Sequence, residues 1–315
     1  MRTLDPQARA LLDAIAASKA PAYHTLPVSE ARKLYKESRR FTQPAASPDV
    51  ASVEDREIPG GDAPITIRHY RPAGSRPDDM LPALVYFHGG GFTIGDLDTH
   101  DILCRSLSNQ ARCAVVSVDY RMGPEHRFPA AVDDCVAATR WVFAQAAALY
   151  IDAERIAVGG DSAGGNLATV TSHVLRDSDG PAPRFQLLFY PCADLSQFTT
   201  PSHIELAEGH LLTRDVMIYF RANYVHEDDW RDWRVSPLFA NSLAGLPPAY
   251  LMTAGFDPLR DEGKAYADAM SAAGVPVEYE CFDSMIHGFI TMGGVIATAN
   301  TAVSRAAAVL ARALA

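Results

Sequence analysis

The sequence predicts an α/β fold, with a mostly parallel eight-stranded sheet flanked by helices and a helical cap above it. Three observations carry that expectation. Six short apolar runs, at 83–87, 113–119, 155–159, 185–190, 249–254 and 277–282, read as strands buried on both faces. Helical patterns near 99–111, 129–149, 164–176, 261–273 and 295–314 alternate with them, as crossovers between parallel strands require. A serine, Ser162, stands between glycines where one of these runs gives way to a helix.

The elements ahead of the first run are of a different kind. Helices are expected over about 5–18 and 29–38, the second with Ser29 as N-cap. Residues 41–50 are rich in Pro, Ala and Ser and read as a connector. Segments 53–58 and 65–70 alternate at period two around Gly60-Gly61-Asp62, which predicts a hairpin at a sheet edge. Further on, the interval of about 194–246 is too long for a simple connection. It holds a helical stretch, 213–221, and the aromatics Tyr224, Trp230 and Trp233. With residues 1–45 it is expected to form the cap, and 46–315 carries the sheet. Such a cap would sit above the carboxyl edge of the sheet, where open α/β sheets bind ligands. Phe92, Ile94 and Leu212 are candidate pocket walls, and the three aromatics are candidates for pocket wall or cap core alike.

The chemistry-bearing residues lie at the ends of these runs. In Gly160-Asp161-Ser162-Ala163-Gly164 a sharp strand-to-helix turn would expose the serine hydroxyl. Gly160 and Gly164 are read as positions where a Cβ would strike the neighbouring strand or helix. The helix beyond would aim free backbone N–H groups at whatever Ser162 attacks. Upstream, an apolar run enters His88-Gly89-Gly90-Gly91-Phe92. Bare backbone there can converge on an anion, so the amides of Gly90, Gly91 and Ala163 are the expected oxyanion donors. Gly89 is read as the turn-former, and His88 as a structural imidazole that hydrogen-bonds this loop.

Serine is a weak nucleophile without a base, and the base needs an orienting acid. Behind an elbow of this kind the acid comes next in the chain and the histidine last. Asp257 follows the run at 249–254 and is favoured over Asp261, which is read as a helix cap. His287 follows the final run, whereas His173, His203, His210 and His226 precede Asp257 and break the order. Ser162, Asp257 and His287 are therefore the expected triad for acyl transfer.

Composition narrows the field further. The 315 residues are 48% hydrophobic and 21% charged, ordinary for one large domain with a sizeable core. A net charge of −10 and the lack of a Lys/Arg run argue against a nucleic-acid partner. The same charge weakly disfavours anionic substrates. Arg39-Arg40, the densest basic pair, reads as a solvated helix end. No stretch approaches the roughly 20 apolar residues a membrane span needs, and the amino terminus lacks a signal core. Cys104, Cys113, Cys135, Cys192 and Cys281 are scattered and form no C-x-x-C pair, so neither a zinc site nor a disulfide framework is indicated. No metal or organic cofactor is expected.

Five motifs occur in order: His88-Gly89-Gly90-Gly91-Phe92, the block from Asp119 to His126, the elbow from Gly160 to Asn166, Asp257-Pro258-Leu259-Arg260-Asp261-Glu262, and His287-Gly288-Phe289. Together they resemble the bacterial hormone-sensitive-lipase-like carboxylesterases of the α/β-hydrolase fold, in the branch whose elbow reads Gly-Asp-Ser-Ala-Gly. The resemblance implies a cytosolic enzyme for small esters of short acyl chains, capped by helices and often dimeric. Met122-Gly123 departs from the Leu-Ala usual before Pro124-Glu125, away from the reaction centre. Amides, carbamates and sugar acetates are alternative substrates for the same machinery, because a triad does not select the leaving group. A receptor on this fold is a further alternative, disfavoured by the presence of His287.

Overall fold

Val85 and Phe87 point to one side of the sheet, Leu84 and Tyr86 to the other, and each side meets its own hydrophobic core. Strands covered on both faces must be apolar at every position, which is why they read as unbroken runs rather than alternating ones.

The computed structural model describes residues 2–315. Two helices lead, α1 (Pro6–Ser18) and α2 (Val28–Thr42), followed by the hairpin β1 (Ser52–Pro59) and β2 (Pro64–Arg71). Next come β3 (Leu81–Phe87), α3 (Asp101–Ala111), β4 (Ala114–Asp119), α4 (Ala130–Ala144), β5 (Ile151–Asp161) and α5 (Ala163–Arg176). After β6 (Phe185–Phe189) the chain leaves the sheet through α6 (Pro201–Glu205) and α7 (Arg214–Tyr224). It returns with β7 (Ala249–Phe256), α8 (Arg260–Ala272), β8 (Val277–Ile286) and α9 (Ala297–Ala313).

The eight strands form one sheet in the order β1-β2-β4-β3-β5-β6-β7-β8. The β1–β2 and β2–β4 pairs are antiparallel and the remaining pairs parallel. The α/β prediction therefore holds, hairpin at the edge included. On one face the core joins Val85, Val158 and Leu251 to Val132 of α4, Leu167 of α5 and Tyr266 of α8. On the other, Leu84, Leu187 and Met252 meet Leu103 of α3 and Val303 and Leu310 of α9. Each such aliphatic side chain, fully buried, stabilises the fold by about 1.5–3 kcal/mol before entropy is counted.

Three local expectations are corrected. Ser29 does not cap α2: the helix starts at Val28, and the Pro27 carbonyl accepts from the N–H groups of Glu30 and Ala31 at 3.0 Å each. Proline presets the φ of that turn, so the helix begins earlier than a serine cap would allow. Asp261 is no cap either. It is the second residue of α8 and accepts instead from the Ser202 N–H of α6 at 2.8 Å. The last strand is only partly covered, because β8 is the sheet's outer edge. Glu278 and Glu280 on it pair with Arg312 and Arg305 of α9.

Parallel register decides what meets at the carboxyl edge. Phe87 pairs with Gly160, so the turn after β3 lies beside the turn after β5. Phe256 pairs with Ile286, which sets the turn after β7 against the turn after β8. At the amino terminus, α1 is tied to the body through Asp5 N–H to Ser284 O at 3.0 Å and Ala297 N–H to Gln7 Oε1 at 2.8 Å. The segment before α2 reaches α7 instead, where Tyr219 Oη donates to Leu26 O at 3.2 Å. No helix of the described residues is long and apolar enough to cross a membrane.

Candidate active site

Ser162 caps α5 with φ 55° and ψ −117°, a backbone conformation that a residue with a side chain rarely adopts. Close packing enforces it. A Cβ on Gly160 would strike the Gly164 carbonyl and Phe87 O, and one on Gly164 would strike Phe87 O. Both neighbours foreseen for these glycines, the strand and the helix, are thus present. Ser162 N–H donates to Phe189 O at 2.8 Å, and its carbonyl accepts from Asn166 N–H at 3.1 Å, which pins the turn on both sides.

The three residues singled out as a triad are brought together across the sheet edge. His287 Nε2 lies 3.0 Å from Ser162 Oγ, and His287 Nδ1 lies 2.7 Å from Asp257 Oδ2. Asp257 has no solvent-exposed surface, and its Oδ1 accepts from Leu259 N–H at 2.8 Å. That second bond leaves only one carboxylate oxygen to orient the imidazole. His287 is nearly buried, its ring 4.8 Å from that of Tyr190, so little rotational freedom remains. A carboxylate on Nδ1 keeps that proton in place and leaves Nε2 as the acceptor for the serine proton.

Gly90, Gly91 and Ala163 line the same cavity as Ser162 and His287. The β3–α3 loop that holds the two glycines is braced by polar contacts on several sides. Gly90 has φ 126°, and its carbonyl accepts from Ile94 N–H at 2.9 Å, closing a tight turn. His88 is fully buried, stacked on Tyr120 at 4.4 Å, with its Nδ1–H on Gly89 O at 2.9 Å. Burial, then the neighbouring His100, pushes the His88 imidazole down to about 4, so it is a neutral loop brace. Arg32 of α2 donates to Thr93 O at 2.8 Å and to Gly123 O at 2.9 Å while gripping Glu125. Gly123 is the departure noted in the 119–126 block. Asn223 O of α7 lies against it, where an alanine Cβ would collide.

Sequence reasoning missed Asp161. Its carboxylate accepts from Tyr86 Oη at 2.7 Å and Gly89 N–H at 2.9 Å, with His100 Nε2 at 3.3 Å. Burial alone would raise its pKa, but the neighbouring His100 and these donors outweigh it and hold Asp161 down at about 2. One anion thus couples the elbow to the glycine loop, and Gly89 gives its N–H to that anion. The signal was in plain view, an acid inside the elbow motif, but nothing in the sequence says which loop it reaches.

The cavity encloses about 110 Å³. Phe92, Ile94 and Leu212 line it as expected, joined by Val216, Met217 and Phe220. Tyr224, Trp230 and Trp233 do not. Tyr224 is fully buried behind Phe92, its ring stacked at 3.7 Å, Trp230 lies under the Arg221 guanidinium, and Trp233 packs on His173. Tyr224 and Trp233 seat the inserted segment on the body of the fold, Trp230 packs within the segment, and none of the three forms its inner wall. Arg39 is the opposite case: read as solvated, it is 6% exposed and lines the cavity. Neighbours in a helix differ by about 100°, so Arg40 faces out while Arg39 faces in. All five cysteines are free thiols, and Cys192 lines the cavity behind Ser162 with burial pushing its pKa well up.

Comparison with known proteins gives consistent matches. The family described as the alpha/beta hydrolase fold matches residues 84–291. The chain is 44% identical to the carboxylesterase NlhH of Mycobacterium tuberculosis over 278 residues, covering 87% of this chain and 86% of the relative. It is 37% identical to the ethyl acetate hydrolase of Pseudomonas putida over 305 residues, 95% of each. Among solved structures, an ester hydrolase from the metagenome of Lake Arreo, complexed with a derivative of bipyridine phosphonate, superposes with a TM-score of 0.95 at 43% identity. That match covers 98% of this chain and 99% of the other.

Proposed function

The chain belongs to the hormone-sensitive-lipase-like carboxylesterases of the alpha/beta hydrolase fold, and from that premise we propose that it cleaves short- to medium-chain acyl esters through an acyl-enzyme on Ser162. That it is a carboxylic ester hydrolase acting on small esters follows from the family. The observation carrying the finer reading is the unbroken hydrogen-bonded line from Ser162 Oγ through His287 to Asp257 beside a turn of bare backbone. The short-chain preference is supported by the small apolar cavity and by similarity to an enzyme named for ethyl acetate.

The reaction runs in two halves. His287 Nε2 takes the Ser162 proton as Oγ attacks the ester carbonyl. The N–H groups of Gly90, Gly91 and Ala163 receive the developing oxyanion, each such donor lowering the barrier by roughly 3–4 kcal/mol. Asp257 holds the imidazole tautomer and stabilises the imidazolium. The proton then passes from Nε2 to the leaving alcohol. Water, deprotonated by the same nitrogen, attacks the acyl carbon and frees the acid.

Residues 1–45 and 194–246 serve as the cap, with α2 and α7 carrying its inner wall. Buried free thiols fit a reducing cytoplasm. The open edge of β8, flanked by α9, is the proposed two-fold contact of a homodimer, which light scattering would reveal.

A chain-length series of aryl esters tests the reading, with Ser162→Ala as control. The expected result is a maximum between two and eight acyl carbons, and a loss of turnover on the order of 10⁵-fold or more in the variant. Activity that rises toward long acyl chains, or that survives in Ser162→Ala, would overturn it.

A further inference from the structure

Two guanidinium groups reach the cavity that holds Ser162, Arg39 from α2 and Arg221 from α7. Neither forms a salt bridge among the described residues. Their surroundings differ. Arg221 Nη1 donates to Leu195 O at 2.8 Å, and the group lies over the Trp230 and Phe198 rings at 3.6 and 4.5 Å. It is a strut of the inserted segment. Arg39 is more deeply buried and less satisfied. Its Nη1 donates to Thr291 Oγ1 at 2.6 Å, its Cζ lies 4.6 Å from the Tyr35 ring centre, and neither its Nε, sealed inside the protein, nor its Nη2, which is not, finds a partner.

A buried charge with an idle donor is costly unless an acceptor arrives to meet it. The rest of the wall is largely apolar, with Leu212, Val216, Met217 and Phe220 offering no competing donors. A planar fork of N–H groups in such a wall matches a carboxylate better than a neutral oxygen. The net charge of −10 does not decide against this. Surface charges are screened over about 10 Å at ordinary ionic strength, whereas a cation in the cavity wall acts at contact.

The position of Arg39 also indicates which half of the ester it meets. Thr291 Oγ1, which Arg39 grips, donates to Gly288 O at 3.0 Å, so the guanidinium is tethered to the turn that carries His287. His287 hands its proton to the departing alcohol, so that half of the substrate lies on its side of the cleft.

We propose that Arg39 is a substrate-binding residue and that the preferred ester carries a carboxylate on its alcohol half, as in an acylated hydroxy acid. The proposal rests on the acyl-transfer reading of Ser162, Asp257 and His287. Water supplies hydroxyl to the acyl carbon and a proton to the alcohol oxygen. The acyl C–O bond breaks, and a carboxylic acid and a free hydroxy acid leave.

The test compares kcat/KM for the acetate ester of 4-hydroxybutanoate with that for 4-methylpentyl acetate, its neutral counterpart of the same shape. In the unaltered protein the anionic ester is expected to be used at least as well as the neutral one. In Arg39→Met the anionic-to-neutral ratio falls by about tenfold or more, and Arg39→Lys restores part of it. The ratio is insensitive to general damage, which lowers both rates together. A ratio unchanged in Arg39→Met would overturn the proposal and leave Arg39 as a brace for the His287 turn. So would an unaltered protein that disfavours the anionic ester by tenfold or more, a result independent of how any variant folds. Failure to hydrolyse either ester would sink the esterase reading itself.

Discussion

Ser162, Asp257 and His287 each follow directly on a strand, whereas Leu212, Val216, Met217 and Phe220 reach the same cavity from α7 and the loop before it. The first set is placed by main-chain hydrogen bonds between strands, and neighbouring turns cannot drift without breaking the ladder. The second set is held by side-chain packing and by a few bonds such as Tyr219 Oη to Leu26 O and Arg127 Nη1 to Ala222 O. A rigid lower edge and a packed upper wall suit different tasks. Bond making needs groups fixed to a fraction of an ångström, while choice among substrates needs only a shaped apolar surface.

That contrast makes its largest prediction at the lower edge. Asp257→Asn should leave the fold intact but lower kcat by roughly 10⁴-fold, because an amide cannot hold the imidazole in the tautomer that accepts from serine. A loss below tenfold, measured on a short aryl ester, would mean that position orients nothing. Asp161→Asn should cost about 10–100-fold in kcat with KM little changed, as the charged acceptor shared by Tyr86, Gly89 and His100 is lost and the glycine loop loosens. An equal rise in KM would point to a binding role instead.

Stability against acid probes the body of the fold. Burial, the first cause in each, holds His69, His88 and His173 at about 4, whereas an unperturbed imidazole titrates at 6.5. As pH falls through 6.5 the unfolded chain takes up protons that the fold refuses, so stability drops until about pH 4. Asp119, raised to about 6 by burial and then by Asp96 and Asp98, opposes this, since the fold keeps a proton that the unfolded chain releases. His210, lowered by burial, adds to the loss, and Asp133 and Glu262, raised by burial, add to the opposition. The three large imidazole shifts leave a net loss, and Tm should be roughly 5–10 °C lower at pH 5 than at pH 7. A Tm that is flat or rises over that range would contradict the buried neutral histidines. The smallest effect is expected above. Leu212→Ala should move the best acyl length upward by about two carbons while kcat/KM on the original optimum changes only severalfold. A shift on the scale of Asp257→Asn would erase the distinction between the two regions.

The difference between the regions also explains what could be read from the sequence. The elbow, the glycine run and the order Ser, Asp, His were legible because a nucleophile at a strand end demands particular residues at fixed spacing. Gly160 and Gly164 could be read because no Cβ fits there. The upper wall left no such trace. Trp230 and Tyr224 have the composition of a pocket and sit behind it, while Arg39 has the composition of a surface and sits inside. Helix periodicity says that two faces exist without saying what covers either.

The sequence by itself determined the strand-and-helix alternation, which serine, aspartate and histidine were to meet and the loops that carry them, because periodicity and backbone sterics act within a few residues. Only the tertiary structure decided that Asp161 reaches Gly89 and that Arg39 turns inward with an N–H to spare. Those outcomes depend on which distant segments share a boundary, and strand register together with helix rotation settles that after the chain has folded.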